Sequence, residues 1–186
     1  MMITGMIKDG YGSKKGFLRY QVHRALGILG RYTSFRPQSG TTFTRLVFVC
    51  AGNICRSPFA QVVAEQRGLN AVSIGLSTRG GDPANSVALA VAENRGFSLA
   101  QHRSSRVEDF VPQTGDWFVC MEPQQAEKIQ SLFPGFQAVL LGMCMTRPQR
   151  PFIPDPFGKS TGYFARCFSW IETGVANLNE FRTPEE

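Results

Sequence analysis

The chain has no apolar run long enough to cross a membrane, so a spanning helix is excluded. Histidine is scarce: only His23 and His102 occur in 186 residues. No Cys/His cluster has zinc-ligand spacing, and the reading requires no metal and no cofactor. His102 reads as a structural or surface residue rather than a ligand. The five cysteines do not form a disulfide framework, because two of them share one short segment. Cys120, Cys144 and Cys167 lie among apolar residues and read as reduced core thiols. That usage suits a reducing cytoplasm. Internal repeats and low-complexity tracts are absent. The N-terminal segment lacks the small-residue cleavage site of a secretory signal.

Acidic residues are nearly missing from one end. Residues 1–44 contain seven Lys or Arg and one acid, Asp9. Residues 45–186 contain thirteen of each sign. The net charge of +6 therefore sits entirely in an N-terminal extension, and the balanced remainder argues against nucleic-acid binding. Leu18, Val22, Ala25, Leu26 and Leu29 mark a helical stripe in the extension, with Arg19, His23, Arg24 and Arg31 largely off it. The two readings are a disordered or misassigned leader, with start methionines at Met1, Met2 and Met6, and a basic amphipathic helix. Such a helix would lie on an anionic membrane surface or dock on a partner. Gly27 and Gly30 weaken it. On either reading the extension is expected to be dispensable for small-substrate chemistry.

What the sequence does contain is a strand leading into a reactive loop. Leu46-Val47-Phe48-Val49 is a short apolar run, as a buried parallel strand requires. It runs into Cys50-Ala51-Gly52-Asn53-Ile54-Cys55-Arg56-Ser57. A cysteine and an arginine six apart, between strand and helix, make a cradle for a tetrahedral oxyanion. Backbone N–H groups can turn inward as a nest, and the helix adds its positive end. Arg56 offers a planar fork for two phosphate oxygens. In that field Cys50 is favoured as thiolate, the nucleophilic form. Pro58 fits a first helical turn, and Gly68 a stop after Arg67. A lone cysteine at a strand end usually reads as an inert core thiol; the whole loop reverses that.

Phosphoryl transfer to sulfur also needs an acid for the leaving group. Asp155 is the sole acidic residue between Glu127 and Glu172, in Ile153-Pro154-Asp155-Pro156-Phe157-Gly158. Flanking prolines stiffen its loop. Alone, Pro-Asp-Pro reads as a turn; paired with the Cys50 loop it reads as a general acid.

On Val49 through Pro58 and on Asp155-Pro156-Phe157, the chain resembles a low-molecular-weight protein-tyrosine phosphatase. The stretches around Ser73-Ile74-Gly75 and from Gly96 through His102-Arg103-Ser104 add weaker support, and the match spans roughly Arg45 to Phe181. The resemblance implies Cys50 as nucleophile and Arg56 as transition-state clamp. Asp155 becomes the acid and then the base that activates water. Ala51, Gly52, Asn53, Ile54, Cys55 and Ser57 bind phosphate or shape the loop, and Ser57 assists the leaving thiolate. Cys55 matches a second loop cysteine that can form a protective disulfide with Cys50. Phe157 walls the substrate ring where many members carry Tyr. Arg147 through Pro154 resembles the bacterial branch tied to exopolysaccharide tyrosine kinases, which implies a phosphotyrosine protein as partner. Gly80 and Gly81 lie in a short loop, Leu76 to Asp82, that lacks the family's bulky wall residue. That departure bears on substrate preference.

The expected fold is α/β: a three-layer sandwich with a four-stranded parallel sheet and the phosphate loop after the first strand. Strands are expected at Val72–Gly75, Asp116–Met121 and Phe136–Gly142. Helices are expected at Asn85–Arg95, Pro123–Phe133 and Thr161–Glu180. Residues 45–186 form the catalytic domain. Two alternatives share these motifs. An arsenate reductase would need a relay of further cysteines, and no partner thiol lies near Cys120 through Pro134. A non-catalytic phosphotyrosine-binding module would not need Cys50, Arg56 and Asp155 together. The oligomeric state is open.

Overall fold

The computed structural model describes residues 11–38, 40–145 and 149–181. The start methionines, and Arg147 and Pro148 of the branch-like stretch, lie outside these residues. The sheet follows directly from the apolar runs. β1 (Arg45–Cys50), β2 (Ala71–Gly75), β3 (Asp116–Cys120) and β4 (Gln137–Leu140) pair in parallel in the order β2-β1-β3-β4. β1 is central: Leu46 lies opposite both Ala71 and Trp117. Parallel strands covered on both faces should be apolar throughout, and β3 is buried along its whole length.

Alternation along β1 divides the core. Leu46 and Phe48 face a cluster with Phe59, Val63, Val91, Phe164 and Phe168. These come from α2 (Arg56–Gln66), α3 (Ser86–Glu93) and α5 (Thr161–Ala176). Val47 and Val49 face a second cluster with Ala126 and Ile129 of α4 (Pro123–Leu132). Helices on both faces give the expected sandwich. Local chemistry sets the helix ends. Asn85 caps α3 through bonds from Val87 and Ala88 N–H, and Ser160 caps α5 through Tyr163 N–H. Gly68 follows α2 at φ +74°, where a side chain would be strained.

Two expected elements end early. β4 stops at Leu140, and Leu141–Met143 form a buried 3-10 turn. An apolar run cannot by itself separate a buried strand from a buried turn. The last helix changes to 3-10 geometry at Leu178–Phe181, although Leu178 keeps its place in the core.

The extension is not electrostatically separate from the rest. Its helix, α1 (Lys14–Ile28), is capped by Ser13, which accepts from Gly16 N–H. After it, Tyr32 and Phe35 are buried in the second core cluster. Leu26 also packs there, whereas Leu18, Val22, Ile28 and Leu29 stay exposed. The docked side of α1 is polar and aromatic. Arg19 pairs with Glu122, Tyr20 and His23 pack on Phe152, and Arg31 bonds Glu127 at 3.0 Å. The apolar stripe therefore does not mark the packing face, and removing residues 1–44 would open a core. The expected dispensability does not follow from this structure.

Candidate active site

The loop between β1 and α2 lies at the carboxyl end of the central strand, where such sheets bind ligands. Four of its carbonyls are tied back by hydrogen bonds. The Cys50 carbonyl accepts from Leu76 N–H, that of Ala51 from Ser77 N–H and that of Ile54 from Asn85 N–H. The Asn53 carbonyl accepts from His102 Nε2 at 2.6 Å. With these carbonyls tied back, the Asn53 N–H turns to Cys50 Sγ at 3.3 Å, as the inner side of a nest does.

Asn53 holds this turn. It is fully buried at φ +52°, a left-handed conformation that Asn tolerates better than other residues with a side chain. Asn53 Nδ2 donates to Ser57 Oγ and Ser73 Oγ, both at 2.8 Å, and Asn53 Oδ1 accepts from Ser105 N–H at 2.8 Å. Backbone strain of roughly 1–3 kcal/mol persists only where surroundings over-determine it, and these bonds do so. Gly75 completes the fit. A Cβ there would lie 2.8 Å from Thr78 Cγ2 and 2.9 Å from Asn53 Cβ.

Cys50 Sγ is 3.0 Å from Ser57 Oγ and 3.3 Å from Asn53 N. Cys55 is buried and lines the same cleft as Cys50. Burial first, then the neighbouring Cys50 and Asp155, pushes its thiol up to about 12. Arg56 is 1% exposed. Its Nη1 donates to Glu122 Oε1 at 2.6 Å and to the Ile153 carbonyl at 2.9 Å. Its Nη2 is 3.3 Å from Asp155 Oδ2, and its Nε has no hydrogen-bond partner among the described residues. A buried donor without a partner is costly. Here it belongs to the Nε/Nη2 edge, which suits two oxygens of a tetrahedral anion. Burial alone would lower the Arg56 guanidinium, but Glu122, then Asp155 and Cys50, hold it well above its usual value. It stays charged.

These groups share one cleft of about 250 Å³, lined by Cys50, Arg56, Asp155, Ile54, Phe157 and Ser77, among others. Asp155 reaches it from a strapped loop. Ile153 N–H donates to the Met121 carbonyl at 2.7 Å, and Asp155 Oδ1 accepts from Phe157 N–H at 3.3 Å. The loop from Leu76 to Asp82 brings Ser77 but no bulky residue to the wall.

Residues 45–183 match the model of the low molecular weight phosphotyrosine protein phosphatase family. The chain belongs to this family. A curated relative is "Probable low molecular weight protein-tyrosine-phosphatase EpsP" of Ralstonia nicotianae. It is 29% identical over 132 residues, covering 70% of this chain and 90% of the relative. Among solved structures, the tyrosine phosphatase amsI of Erwinia amylovora superposes with TM-score 0.66 at 25% identity, over 75% of this chain and 93% of that one. The YwlE arginine phosphatase of Geobacillus stearothermophilus superposes with TM-score 0.64 at 27% identity, over 74% and 91%.

The structure of this phosphatase brings together all the residues singled out in the loop and on the acid segment. It also adds some that sequence reasoning missed. Glu122 and Ser105 were not singled out, and His102, read as a structural or surface residue, bonds the Asn53 carbonyl of the loop. Glu122 lies two residues past the end of β3, at the ligand-binding end of a strand beside β1. That position was the available signal. Cys120 and Cys144 are buried, and burial pushes both thiols up. Neither lines the cleft, so neither is placed for an arsenate relay.

Proposed function

We propose that the protein hydrolyses protein phosphotyrosine through a cysteinyl-phosphate intermediate. One observation carries the reading: Cys50, Arg56 and Asp155 line a single cleft whose further walls are Ile54 and Phe157. The Nε/Nη2 edge of Arg56 and the loop N–H groups hold the non-bridging oxygens. Cys50 Sγ attacks phosphorus. As the S–P bond forms, the P–O bond to the aryl group breaks, and Asp155 gives its proton to the leaving oxygen. Asp155, now a carboxylate, takes a proton from water. Water oxygen attacks phosphorus, the S–P bond breaks, and the Ser57 hydroxyl supports the released thiolate. Cys55, which lines the same cleft, is read as the partner of Cys50 in a reversible, protective disulfide.

Because an arginine phosphatase shares the fold, phosphoarginine is the competing substrate class. A guanidinium leaving group would favour acidic walls. Among the described residues Asp155 is the one acid lining this cleft, and it already faces Arg56. The aromatic ring of Phe157 and the apolar Ile54 suit a phenyl ring better. Steady-state assays on p-nitrophenyl phosphate, a phosphotyrosine peptide and a phosphoarginine peptide decide the matter. The phosphotyrosine peptide is expected to exceed the phosphoarginine one at least about tenfold in kcat/KM, about 1.4 kcal/mol in the transition state. The reverse order overturns the substrate class. Arsenate-dependent oxidation of thioredoxin without p-nitrophenyl phosphate turnover overturns ester hydrolysis itself.

The physiological substrate is proposed to be a phosphoprotein of the cytoplasm, a bacterial tyrosine kinase of polysaccharide synthesis among the candidates. The support is the resemblance of the segment ending at Pro154; dephosphorylation of such a kinase in co-expression tests it. Among the described residues, no helix is long and apolar enough to cross a membrane. A surface contact is a different matter. The outer side of α1 exposes Leu18, Val22, Ile28 and Leu29 beside Lys14, Lys15 and Arg24. We read it as a contact for an anionic membrane surface. Co-sedimentation with phosphatidylserine vesicles is expected at low salt and should fall with added salt, through screening. No difference between phosphatidylserine and neutral vesicles ends this reading.

A further inference from the structure

Arg56 has to present one edge of its guanidinium to the phosphoryl group, and its direction is set by what holds the opposite nitrogen. Nη1 has two partners, the Ile153 carbonyl and Glu122 Oε1. The first is backbone, fixed by the Ile153–Met121 bond. The second is a side chain with its own torsions. Gln125 Oε1 accepts from the N–H groups of Met121 and Glu122, at 3.0 and 3.1 Å, and so fixes the backbone of Glu122. The pair forms a capping box in which the Glu122 side chain also faces the Gln125 backbone N–H, a first hold on the carboxylate from α4 itself.

A second hold, on the other oxygen, comes from α1. Glu122 Oε2 accepts from Arg19 Nη2 of α1, so each carboxylate oxygen takes one guanidinium. Burial pushes the Glu122 carboxyl up, but Arg56 and Arg19 together hold it below the usual carboxylate range. Its side chain is 13% exposed. An exposed ion pair contributes little in general. This one differs because its acid is largely desolvated and shared with a buried arginine.

Arg19 is itself braced. Its guanidinium lies over the Phe152 ring at 4.9 Å. His23 Nδ1 is 2.6 Å from Tyr32 Oη, which anchors α1 to the second core. Arg150 sits 5.0 Å from the Tyr20 ring and 3.9 Å from the Trp170 ring, so α1 and α5 clasp the segment that leads to Asp155. The family match begins at residue 45, so Arg19 comes from a segment that the family model does not include.

We propose that Arg19 is a positioning residue for phosphoryl transfer: it holds Glu122 in the orientation that aims the Nε/Nη2 edge of Arg56 at the phosphoryl group. The inference rests on the proposed hydrolysis and extends it. Misaiming Arg56 costs more in the transition state than in the ground state, because the oxygens carry their developing charge there.

The test is steady-state kinetics of the full chain on p-nitrophenyl phosphate. Arg19→Met keeps the apolar stem over Phe152 and removes the charge. It is expected to lower kcat about tenfold, about 1.4 kcal/mol, with KM within about twofold. Arg19→Lys should restore kcat to within about threefold of wild type, since a point charge still reaches Glu122. In a Glu122→Gln background, Arg19→Met should cost less than about twofold further. An unchanged kcat in Arg19→Met overturns the proposal. So does an equal loss in both backgrounds without rescue by Lys, which would mark Arg19 as structural only. Absence of wild-type hydrolysis would overturn the functional reading first, and this inference with it.

Discussion

Replacing Cys50 by serine is expected to lower turnover of p-nitrophenyl phosphate by more than about 10⁴-fold, the scale on which loss of a covalent nucleophile is felt. The substitution is nearly isosteric. Ser57 Oγ at 3.0 Å and Asn53 N at 3.3 Å can still bond an oxygen at this position. The outward carbonyl bonds that shape the cradle do not involve the sulfur. Fold and anion binding should therefore persist, with a nearly unchanged thermal midpoint and retained affinity for a phosphotyrosine peptide. What fails is attack, because a serine hydroxyl ionises far less readily than a thiol and no histidine base lines the cleft. The variant should also lose the peroxide-induced Cys50–Cys55 link, which peptide mapping detects in the wild type. Near wild-type hydrolysis by Cys50→Ser would remove sulfur from the mechanism. If activity is lost but wild-type mapping finds only irreversibly oxidised Cys50, the nucleophile stands and the protective role of Cys55 does not.

The strand–loop–helix unit was legible because its causes are local. The apolar run, the loop residues and the first turn of α2 occupy Leu46 to Phe59 without interruption. Asp155 was picked out for a different reason: attack by Cys50 on phosphorus would demand a proton donor and few acids were available, and the structure puts Asp155 in the same cleft. Asn53 was recognised as shaping the loop. Its long-range partners Ser73, His102 and Ser105 were not paired with it, because hydrogen bonds across 20 to 52 positions leave no periodic trace.

The extension shows the same limit from the other side. A stripe of Leu18, Val22, Ala25, Leu26 and Leu29 reads as the face a helix would bury, and of these Leu26 does pack on the second core cluster. The structure docks α1 through Arg19, Tyr20 and His23 instead, by an ion pair and ring contacts. Such a surface is written in residues that also occur on solvated helix faces, so hydropathy patterning does not separate the two. Charge arithmetic misled in the same way. Residues 45–186 are neutral as a sum, yet Glu122 and Glu127 meet Arg19 and Arg31 individually.

Replacing Asp155 by asparagine is expected to slow hydrolysis of phenyl phosphates by roughly 10²–10⁴-fold, the usual contribution of a general acid. Shape is kept. The amide oxygen of the new side chain could still accept from Phe157 N–H, as Asp155 Oδ1 does at 3.3 Å. The acidic proton is lost, so the aryl oxygen must leave as phenoxide. The penalty should therefore shrink along a series of increasingly acidic phenols and become small for the best leaving groups. The opposite carboxylate role adds a second signature. Without a base for water, breakdown of the cysteinyl phosphate slows. With good leaving groups the variant should show a burst of phenol followed by slow turnover, and rapid-quench trapping should find phosphate on Cys50. Loss of the contact with Arg56 Nη2, at 3.3 Å, would weaken catalysis for every leaving group alike. A loss that stays constant across the series would therefore assign Asp155 to holding Arg56 and take the proton transfers away from it.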